Sequence, residues 1–340
     1  KEIVMRARIV IKIGSSSLTS EQGELNLHQI RYFSSEIASL KNAGHEVLLV
    51  SSGSVAAGFP YIGYAERPSL VHEKQAAAAV GQALLMQAYH EAFSAHDCKI
   101  AQILLTRANF SDRKQVTNAK NTIEELLMRG VIPIINENDT VSIEELNFGD
   151  NDTISARVAN RDRARMLLIF TDTDGLYTAD PRYNEEAVRI HKVEEIDEKL
   201  LAIAGGAGSK VGTGGMRSKI EAARIAVRGG VPVFVGKAEH QGDMEAAVRG
   251  DGKGTYFESH LGALPMKKQW LGFFSIPAGR IIVDRGAEEA LQHHGRSLLP
   301  AGVVQIEGTF HPGDIVEVIS ESRRIIGRGV VNYAAWQLQA

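Results

Sequence analysis

The chain has 340 residues, of which 38 are Lys or Arg and 41 are Asp or Glu, for a formal net charge of −3. This length predicts two domains, since a domain usually holds about 100–200 residues, and a charge near zero does not favour nucleic acid as the main partner. The single cysteine excludes a disulfide framework and favours a reducing compartment. No apolar run reaches the roughly 18 residues that span a membrane, so we expect a cytoplasmic protein with no membrane partner.

Short apolar runs alternate with helical patterns over the first 260 residues. The runs predict strands at residues 8–13, 46–50, 99–105, 131–136, 165–171 and 231–235, and apolar spacing predicts helices near 27–40, 73–95, 119–129, 153–160 and 216–228. Strands that alternate with helices form a mostly parallel sheet that is covered on both faces. We therefore predict an α/β domain whose ligands bind beyond the carboxyl ends of the strands.

The pattern changes after about residue 257. Residues 260–274 have no clear period and contain Gly, Pro and the pair Lys267-Lys268, as is typical of a linker. Beyond this segment, short strands with glycine turns are predicted at 279–284, 303–307, 314–319 and 324–331, and a helical segment at 288–293. We therefore expect one domain over residues 1–259, a linker over 260–274 and a small, mainly β module over 275–340.

Small and polar residues follow most of the predicted strands, at the edge where ligands should bind. They are Lys12, Gly14 and Ser15 after the first strand, Ser52 and Gly53 after the second, Asp139 and residues 150–152 after the fourth, Thr171 and Asp172 after the fifth, and a glycine-rich loop over 212–215 before a helix that carries Lys219. Each motif alone is weak, because a lysine after a strand is more often a solvated cap and an Asp-Asn-Asp triplet more often a turn. Their coincidence at one edge is the informative observation.

This combination suits phosphoryl transfer between two anions. Such a reaction needs positive charge around the transferred group and an acceptor held in line with it. Two lysines from different loops, glycine N–H groups and Mg²⁺ would supply the charge, and Asn and Asp side chains could hold the carboxylate and ammonium of an acceptor. The loop over 212–219 matches neither the P-loop nor the G-x-G-x-x-G spacing, so the usual nucleotide fingerprints are absent.

Together, the motifs resemble those of the glutamate 5-kinase family, within the amino acid kinase superfamily. They are Lys12-Ile-Gly-Ser15, Ser51-Ser-Gly53, Ile135-Asn-Glu-Asn-Asp139, Gly149-Asp-Asn-Asp152, Leu176-Tyr-Thr-Ala-Asp-Pro-Arg182, and Gly212-Thr-Gly-Gly-Met216 with Lys219. The resemblance runs from about residue 7 to the C-terminus, where the tail resembles a PUA module. It implies a three-layer αβα sandwich with a mostly parallel sheet, followed by a small PUA-like domain.

The resemblance also implies an activity. The family transfers the γ-phosphoryl group of ATP to the side-chain carboxylate of L-glutamate, which gives γ-glutamyl phosphate, the first step of proline biosynthesis. We therefore expect ATP and Mg²⁺ as cofactors, L-glutamate as substrate, proline as feedback inhibitor and a homo-oligomer, either a dimer or a tetramer. Which residues position the magnesium ion stays open, because carboxylates that bind the metal and carboxylates that orient lysines look alike in one sequence.

Residue roles follow from the same resemblance. Lys12 and Lys219 would be catalytic and would neutralise the moving phosphoryl group, and Asp172 would orient them. ATP would be bound by Lys12, Gly14, Ser15, Thr171, Asp172, Thr213, Gly214, Gly215, Met216, Arg217, Ser218 and Lys219. Glutamate would be bound by Ser52, Gly53, Asp139 and Asn151, with Asp150 and Asp152 supporting that loop.

Two alternatives are kept. The first is a sister kinase of the same fold that acts on N-acetylglutamate, aspartate, carbamate or a nucleoside monophosphate; a free α-ammonium group needs a carboxylate partner such as Asp139, whereas an acetylated acceptor does not. The second is RNA binding by the C-terminal module. From Lys267 onward the sequence has eight basic and seven acidic residues, so few phosphate contacts and weak RNA affinity are expected.

Overall fold

The computed structural model describes residues 7–20, 22–141, 151–181, 183–204, 215–259, 277–294 and 297–338. The chain forms two compact units, one of residues 1–109 and 114–264, the other of residues 265–340 with the short segment 110–113. The linker predicted over residues 260–274 lies outside the described residues. The boundaries at 259 and 275 therefore stay a prediction.

The first unit is built on an eight-stranded sheet. Its strands are β1 (Arg8–Ile13), β2 (Glu46–Ser51), β3 (Ile100–Leu105), β4 (Ile132–Glu137), β5 (Met166–Phe170), β8 (Lys192–Val193), β9 (Val233–Gly236) and β10 (Gly254–Phe257), while β6 (Leu176–Tyr177) and β7 (Arg189–Ile190) form a separate pair. The order across the sheet is β3-β4-β2-β1-β5-β9-β10-β8.

The six strands from β3 to β9 in that order are parallel, and β10 runs antiparallel to β9. The sequence predicts the six parallel strands correctly. It does not predict the edge formed by β8 and β10, because a strand of two residues and one of four are too short to show a period.

The helices of this unit lie between the strands along the chain. They are α1 (Leu27–Asn42), α2 (Ser54–Gly58), α3 (Val71–Ser94), α4 (Arg113–Met128), α5 (Asn151–Arg161), α6 (Glu198–Ala204), α7 (Met216–Arg228) and α8 (Asp243–Arg249), with short 3-10 turns at Ser15–Ser17 and Arg107–Phe110. Residues of α1, α3 and α8 share one hydrophobic core with the sheet. Helices α5 and α7 pack against each other, and α5 contacts β1, β2, β4 and β5.

The two faces of β1 follow from the alternation of side chains along a strand. Ile9, Ile11 and Ile13 are fully buried in the core that contains α1 and α3. Lys12 lies between two of these residues, so its side chain points to the opposite face of the sheet. Because α5 contacts β1 and packs against α7, this alternation directs Lys12 toward the two helices whose first turns carry Asp152 and Lys219.

Helices α2 and α3 approach each other through two glycines. A Cβ atom at Gly81 would lie 1.7 Å from the carbonyl oxygen of Ser54, and one at Gly58 would lie 1.8 Å from the carbonyl oxygen of Ala77. No side chain fits such gaps, so the two backbones are in direct contact. The two glycines therefore allow the start of α2 to pack directly against α3.

The second unit contains a four-stranded sheet. Its strands are β11 (Gly279–Val283), β12 (Val303–Gly308), β13 (Ile315–Ser320) and β14 (Ile325–Val330), in the order β12-β11-β13-β14, with α9 (Arg285–His294), α10 (Ala335–Leu338) and a 3-10 turn at Pro300–Gly302. Ile281, Val283, Phe310 and Val316 form the centre of its core. These strands and α9 confirm the small, mainly β module that the sequence predicts.

Among the described residues, no helix combines the length and the apolar character required to cross a membrane.

Candidate active site

Two lysines distant in the sequence meet at one carboxylate. Lys12 Nζ, from the end of β1, lies 2.6 Å from Asp152 Oδ1, and Lys219 Nζ, from the first turn of α7, lies 3.7 Å from Asp152 Oδ2. Ser218 Oγ donates a hydrogen bond of 2.7 Å to the same Oδ2. Lys12, Lys219 and Asp152 are 4%, 5% and 2% exposed, respectively, so three charged groups share a space from which water is largely excluded.

The electrostatics of this triad follow from one carboxylate facing two ammonium groups. Burial raises the pKa of Asp152, but the charges of Lys12 and Lys219 outweigh it and hold that pKa below its usual range. Burial lowers the pKa of Lys219; Asp152 opposes this effect and the neighbouring charge of Lys12 adds to it. The triad carries one net positive charge, which makes it a site for an additional anion.

Next to this triad, Asn151 begins α5 and reaches the end of β2. Its Nδ2 atom donates to Ser52 Oγ over 3.0 Å and to Asn136 Oδ1 over 2.9 Å, and its Oδ1 atom accepts from the backbone N–H of Glu137 over 3.2 Å. Asn151 is 2% exposed and Ser52 is 8% exposed. The predicted residues Ser52 and Asn151 are thus brought together at the start of α5, next to Asn136 at the end of β4.

The turn after β2 depends on Gly53. This residue has φ of +109° and precedes α2, a left-handed conformation that L-amino acids with a side chain rarely adopt. The turn places Ser54 in the first position of α2, where its hydroxyl donates a hydrogen bond of 2.8 Å to Asp139 Oδ2. Gly53 therefore contributes to the site through the backbone turn that places Ser54 next to Asp139.

Asp139 lies in the wall of a pocket of about 320 Å³. The pocket is lined by Ser54, Ala78, Ala79, Gln82, Ala83, Gln102, Leu104, Glu137, Asn138, Asp139 and Thr140. Asp139 is 6% exposed, and within the described residues its Oδ1 atom is buried without a hydrogen-bond partner. Burial raises the pKa of Asp139, although the hydroxyl of Ser54 and the charge of Arg67 partly offset this effect. A buried carboxylate oxygen with unused acceptor capacity suits the ammonium group of a small ligand.

The turn after β5 carries Thr171 and Asp172. The backbone N–H of Thr171 donates to Gly236 on the neighbouring strand over 3.0 Å, and its hydroxyl donates to Asp172 Oδ1 over 2.9 Å. Asp172 is exposed, and its charge raises the pKa of Lys219. The sequence predicts that Asp172 orients both lysines, and this role stays a prediction. The carboxylate that contacts both lysines is Asp152, because α5 begins two residues earlier than predicted and directs that side chain inward.

The remaining predicted nucleotide residues lie at the start of α7 or outside the described part. Gly215 precedes this helix in an extended conformation, and Met216, Arg217 and Ser218 form its first turn. Arg217 is exposed and pairs with Glu221 at 3.1 Å. Gly14 and Ser15 follow β1, directly after the strand that carries Lys12. Asp150, Thr213 and Gly214 lie outside the described residues, so their predicted roles stay predictions.

The residues fit a magnesium ion that is held mainly by a nucleotide. Over the described ranges, no group of three or more His, Cys, Asp and Glu side chains could enclose a metal ion. Mg²⁺ usually keeps several waters and is bound by one or two carboxylates together with substrate phosphates. Asp172 is exposed, beside Thr171 and within electrostatic range of Lys219, and is therefore the carboxylate that such an ion could reach.

Three polar residues of the site are missing from the predicted set. They are Ser54, which holds Asp139, Asn136, which holds Asn151, and Gln82 of α3, which lines the pocket. Ser54 and Asn136 belong to the polar turns after the second and fourth strands and could have been inferred from those turns. Gln82 lies within an Ala- and Gln-rich helix, where nothing in the sequence distinguishes it from the other glutamines.

Comparison with protein families and curated proteins gives consistent matches. Residues 7–237 match the model of the amino acid kinase family, and residues 279–340 match the PUA domain. The chain is 48% identical over 335 residues to a glutamate 5-kinase of Bacillus cereus, a match that covers 98% of this chain and 91% of that protein. It is also 48% identical over 335 residues to a glutamate 5-kinase of Halalkalibacterium halodurans, with 98% and 90% coverage.

Solved structures give the same fold at much lower identity. An isopentenyl phosphate kinase of T. acidophilum, solved as a product complex, is 15% identical, with a TM-score of 0.51 over 74% of this chain and 100% of that one. The UMP kinase of Ureaplasma parvum is also 15% identical, with a TM-score of 0.52 over 75% of this chain and 100% of that one. At this identity, the likeness concerns the fold alone.

Proposed function

The chain belongs to the amino acid kinase family, within it to the glutamate 5-kinases, and from this premise we propose that it phosphorylates L-glutamate with ATP. An oxygen of the side-chain carboxylate attacks the γ-phosphorus of ATP, the bond from that phosphorus to the β,γ-bridging oxygen breaks, and γ-glutamyl phosphate and ADP leave. The acceptor is already an anion, so no general base has to remove a proton. The protein therefore has to position the two reactants and to neutralise the charge of the transferred phosphoryl group.

The meeting of Lys12 and Lys219 at Asp152 is the observation that supports this function most directly. As the γ-phosphoryl group moves, negative charge is spread over its oxygens and over the leaving group. Two ammonium groups that are already fixed in a water-poor site can stabilise that negative charge without reorganising. Asp152 is then the carboxylate that directs both lysines and opposes the lowering of the pKa of Lys219 by burial.

The acceptor lies on the other side of Asn151. We assign the α-ammonium group of glutamate to Asp139, whose Oδ1 atom is buried with unused acceptor capacity. Ser52 and Asn151 would bind the carboxylates, because both are buried polar groups next to the lysine triad. An acceptor with a free ammonium group is thereby favoured over N-acetylglutamate, which would leave the charge of Asp139 uncompensated.

ATP would extend from the lysines toward the turn after β5 and the start of α7, where Thr171, Gly215 and Ser218 lie. Mg²⁺ supplies neutralisation of the phosphate charge, and Asp172 would help to hold it. The predicted contacts of Thr213 and Gly214 with ATP are part of this proposal.

Three finer features complete this proposal. Proline has the α-carboxylate of glutamate and a secondary ammonium group, so the subsite at Asp139 would admit it as an inhibitor. A homo-oligomer is proposed because β3 is an edge strand whose apolar residues Ile103 and Leu104 are only half-buried. A cytoplasmic location is proposed because the only cysteine, Cys98, is free and buried.

The experiment that tests the function measures ADP formation and the acyl phosphate together. L-Glutamate, L-aspartate and N-acetyl-L-glutamate are supplied in parallel with ATP and Mg²⁺, and hydroxylamine traps any acyl phosphate as a hydroxamate. We expect hydroxamate with glutamate, much less with the other two acceptors, and less with glutamate when proline is added. Faster turnover of N-acetylglutamate or of aspartate than of glutamate would refute the proposed substrate.

A further inference from the structure

A chain of side-chain amides runs from the edge of the sheet into the acceptor site. Asn151 Nδ2 donates to Asn136 Oδ1 over 2.9 Å, Asn136 Nδ2 donates to Gln82 Oε1 over 2.7 Å, and Gln82 Nε2 donates to Gln102 Oε1 over 2.8 Å. The four residues come from α5, β4, α3 and β3. Asn136 and Asn151 are buried, Gln82 is half-buried and Gln102 is exposed.

All hydrogen bonds of this chain point in the same direction. In each of the three contacts, the nitrogen of the amide nearer the active site donates to the oxygen of the amide nearer the sheet edge. An amide has two donors at one end and only acceptors at the other, so reversing one member would bring N–H groups face to face. Asn136 Oδ1 also accepts from the backbone N–H of Glu137 over 2.8 Å, so Gln82 and this N–H group together fix the orientation of Asn136, which in turn limits that of Asn151. Hydrogen bonds in such a series also polarise one another.

The orientation of Asn151 decides what Ser52 can do. With its nitrogen toward the end of β2, Asn151 donates to Ser52 Oγ over 3.0 Å, while its oxygen accepts from the N–H of Glu137 over 3.2 Å. Ser52 is therefore an acceptor in this contact, and its own hydroxyl proton can be donated to a ligand carboxylate. If the amide were reversed, its oxygen would compete for that proton, and the N–H of Glu137 would face another N–H group.

Gln82 is held near the site by the packing of its helix. It directly follows Gly81, whose backbone contacts that of Ser54 at the start of α2. This contact places the side chain of Gln82 in the wall of the pocket and within 2.7 Å of Asn136. This partly buried hydrogen bond joins residues 54 positions apart, so it depends on the packing of α3 against β4.

We infer that Gln82 is a positioning residue for the acceptor amino acid: through Asn136 it fixes the amide of Asn151, so that Ser52 donates its hydroxyl proton to a carboxylate of the substrate. The inference rests on the proposed function and adds a residue to it. Gln82 acts on binding of the acceptor and has no part in charge neutralisation at the phosphoryl group. Its loss should therefore raise KM for glutamate and leave kcat and KM for ATP nearly unchanged.

The test replaces Gln82 with methionine, which has a similar length and no hydrogen-bonding amide. Removing one neutral hydrogen bond from a polar series should raise KM for glutamate about fivefold, with kcat changed by less than about twofold. The matched control is Gln87→Met, because Gln87 lies on the same helix, is exposed and donates a comparable hydrogen bond of 3.1 Å to Glu91. Gln87→Met should have the kcat and the KM for glutamate of the wild type. Gln82→Ala is measured in the same way and serves if the methionine variant does not fold.

A double-mutant cycle with Asn151→Ala separates positioning from direct contact. In the wild-type background, Gln82→Met should raise KM for glutamate, and so lower kcat/KM, about fivefold. When residue 151 is already alanine, the same substitution should change kcat/KM by less than twofold. Equal effects in both backgrounds, an unchanged KM, or a loss of kcat alone would each overturn the inference. If the wild-type protein forms no hydroxamate from glutamate, the proposed function itself fails. If the wild type is active and Gln82→Met is indistinguishable from it, only the role of Gln82 fails.

Discussion

Replacing Asp152 with asparagine removes the one negative charge between two buried ammonium groups. The lysine nitrogens lie 2.6 and 3.7 Å from its carboxylate oxygens, and two unit charges about 4 Å apart interact by about 4 kcal/mol at an effective dielectric constant of about 20. Breaking a buried ion pair on one side costs about 3–5 kcal/mol of folding free energy. At about 2–4 °C per kcal/mol for a unit of this size, we expect Tm to fall by roughly 6–20 °C at neutral pH.

Stability and activity of this variant should change in opposite directions with pH. Without Asp152, the pKa of Lys219 falls further below its ordinary value, because burial and the charge of Lys12 are then opposed only by the charge of Asp172. At pH values between the folded and the unfolded pKa of this lysine, the unfolded chain binds more protons, so the free energy of unfolding rises with pH. Activity needs the ammonium form and should fall over the same window, starting at lower pH than in the wild type.

The assay is a pH profile of kcat together with thermal unfolding at each pH. We expect kcat to drop about 10²–10³-fold at neutral pH, the cost typical of losing one electrostatic stabiliser. Asp162→Asn is the matched control: Asp162 follows α5, is 2% exposed and pairs with Arg161 at 2.6 Å, away from the lysines. It should lose stability and keep the alkaline limb of the wild-type profile. A wild-type profile and kcat for Asp152→Asn would refute the reasoning.

Three further outcomes are expected. Lys12→Ala and Lys219→Ala should each lower kcat by about 10²–10³-fold with little change in KM for glutamate, as single-turnover and steady-state kinetics would reveal; a change confined to KM would contradict their role at the phosphoryl group. Ser54→Ala removes a hydrogen bond that lowers the pKa of Asp139, so the acid limb of kcat/KM for glutamate should move to higher pH, and a limb that stays in place would place the ammonium group elsewhere. Gly81→Ala sets a Cβ atom 1.7 Å from the carbonyl oxygen of Ser54, so chemical denaturation should show a loss of about 1–3 kcal/mol or more, and an unchanged midpoint would contradict the close contact of α2 and α3.

The sequence predicts the framework of the site well, because the period of apolar residues reports burial. The runs that form β1, β2, β4, β5 and β9 predict a parallel sheet, and the rule for ligand binding in such sheets then selects their carboxyl ends. The two lysines at this edge follow from position alone. Which carboxylate they meet does not follow, since Asp152 and Asp172 both lie in polar turns of the sequence.

The start of α5 illustrates why the remaining details are not predictable. The sequence predicts a helix near residues 153–160 that follows a polar turn, whereas the helix begins at Asn151. Helix boundaries depend on hydrogen bonds to distant residues, here from Asn151 to Ser52 and Asn136. Gln82 is a stronger example, because its partners come from two other elements and its own surroundings in the sequence are ordinary helix.

Under the proposed function, adjacent residues at the start of α5 serve different reactants: Asn151, which contacts Ser52, would hold the acceptor, and Asp152 contacts the lysines. Their Cα atoms are one peptide unit, about 3.8 Å, apart, so a shift of this helix that suits a new acceptor also misaligns the groups that drive the transfer. A substitution in this helix that widens the range of acceptors would thus also change kcat, so selection could not easily improve the two separately. A search for variants with a new acceptor would do better in α3 and in the turn after β2, whose residues touch one reactant only.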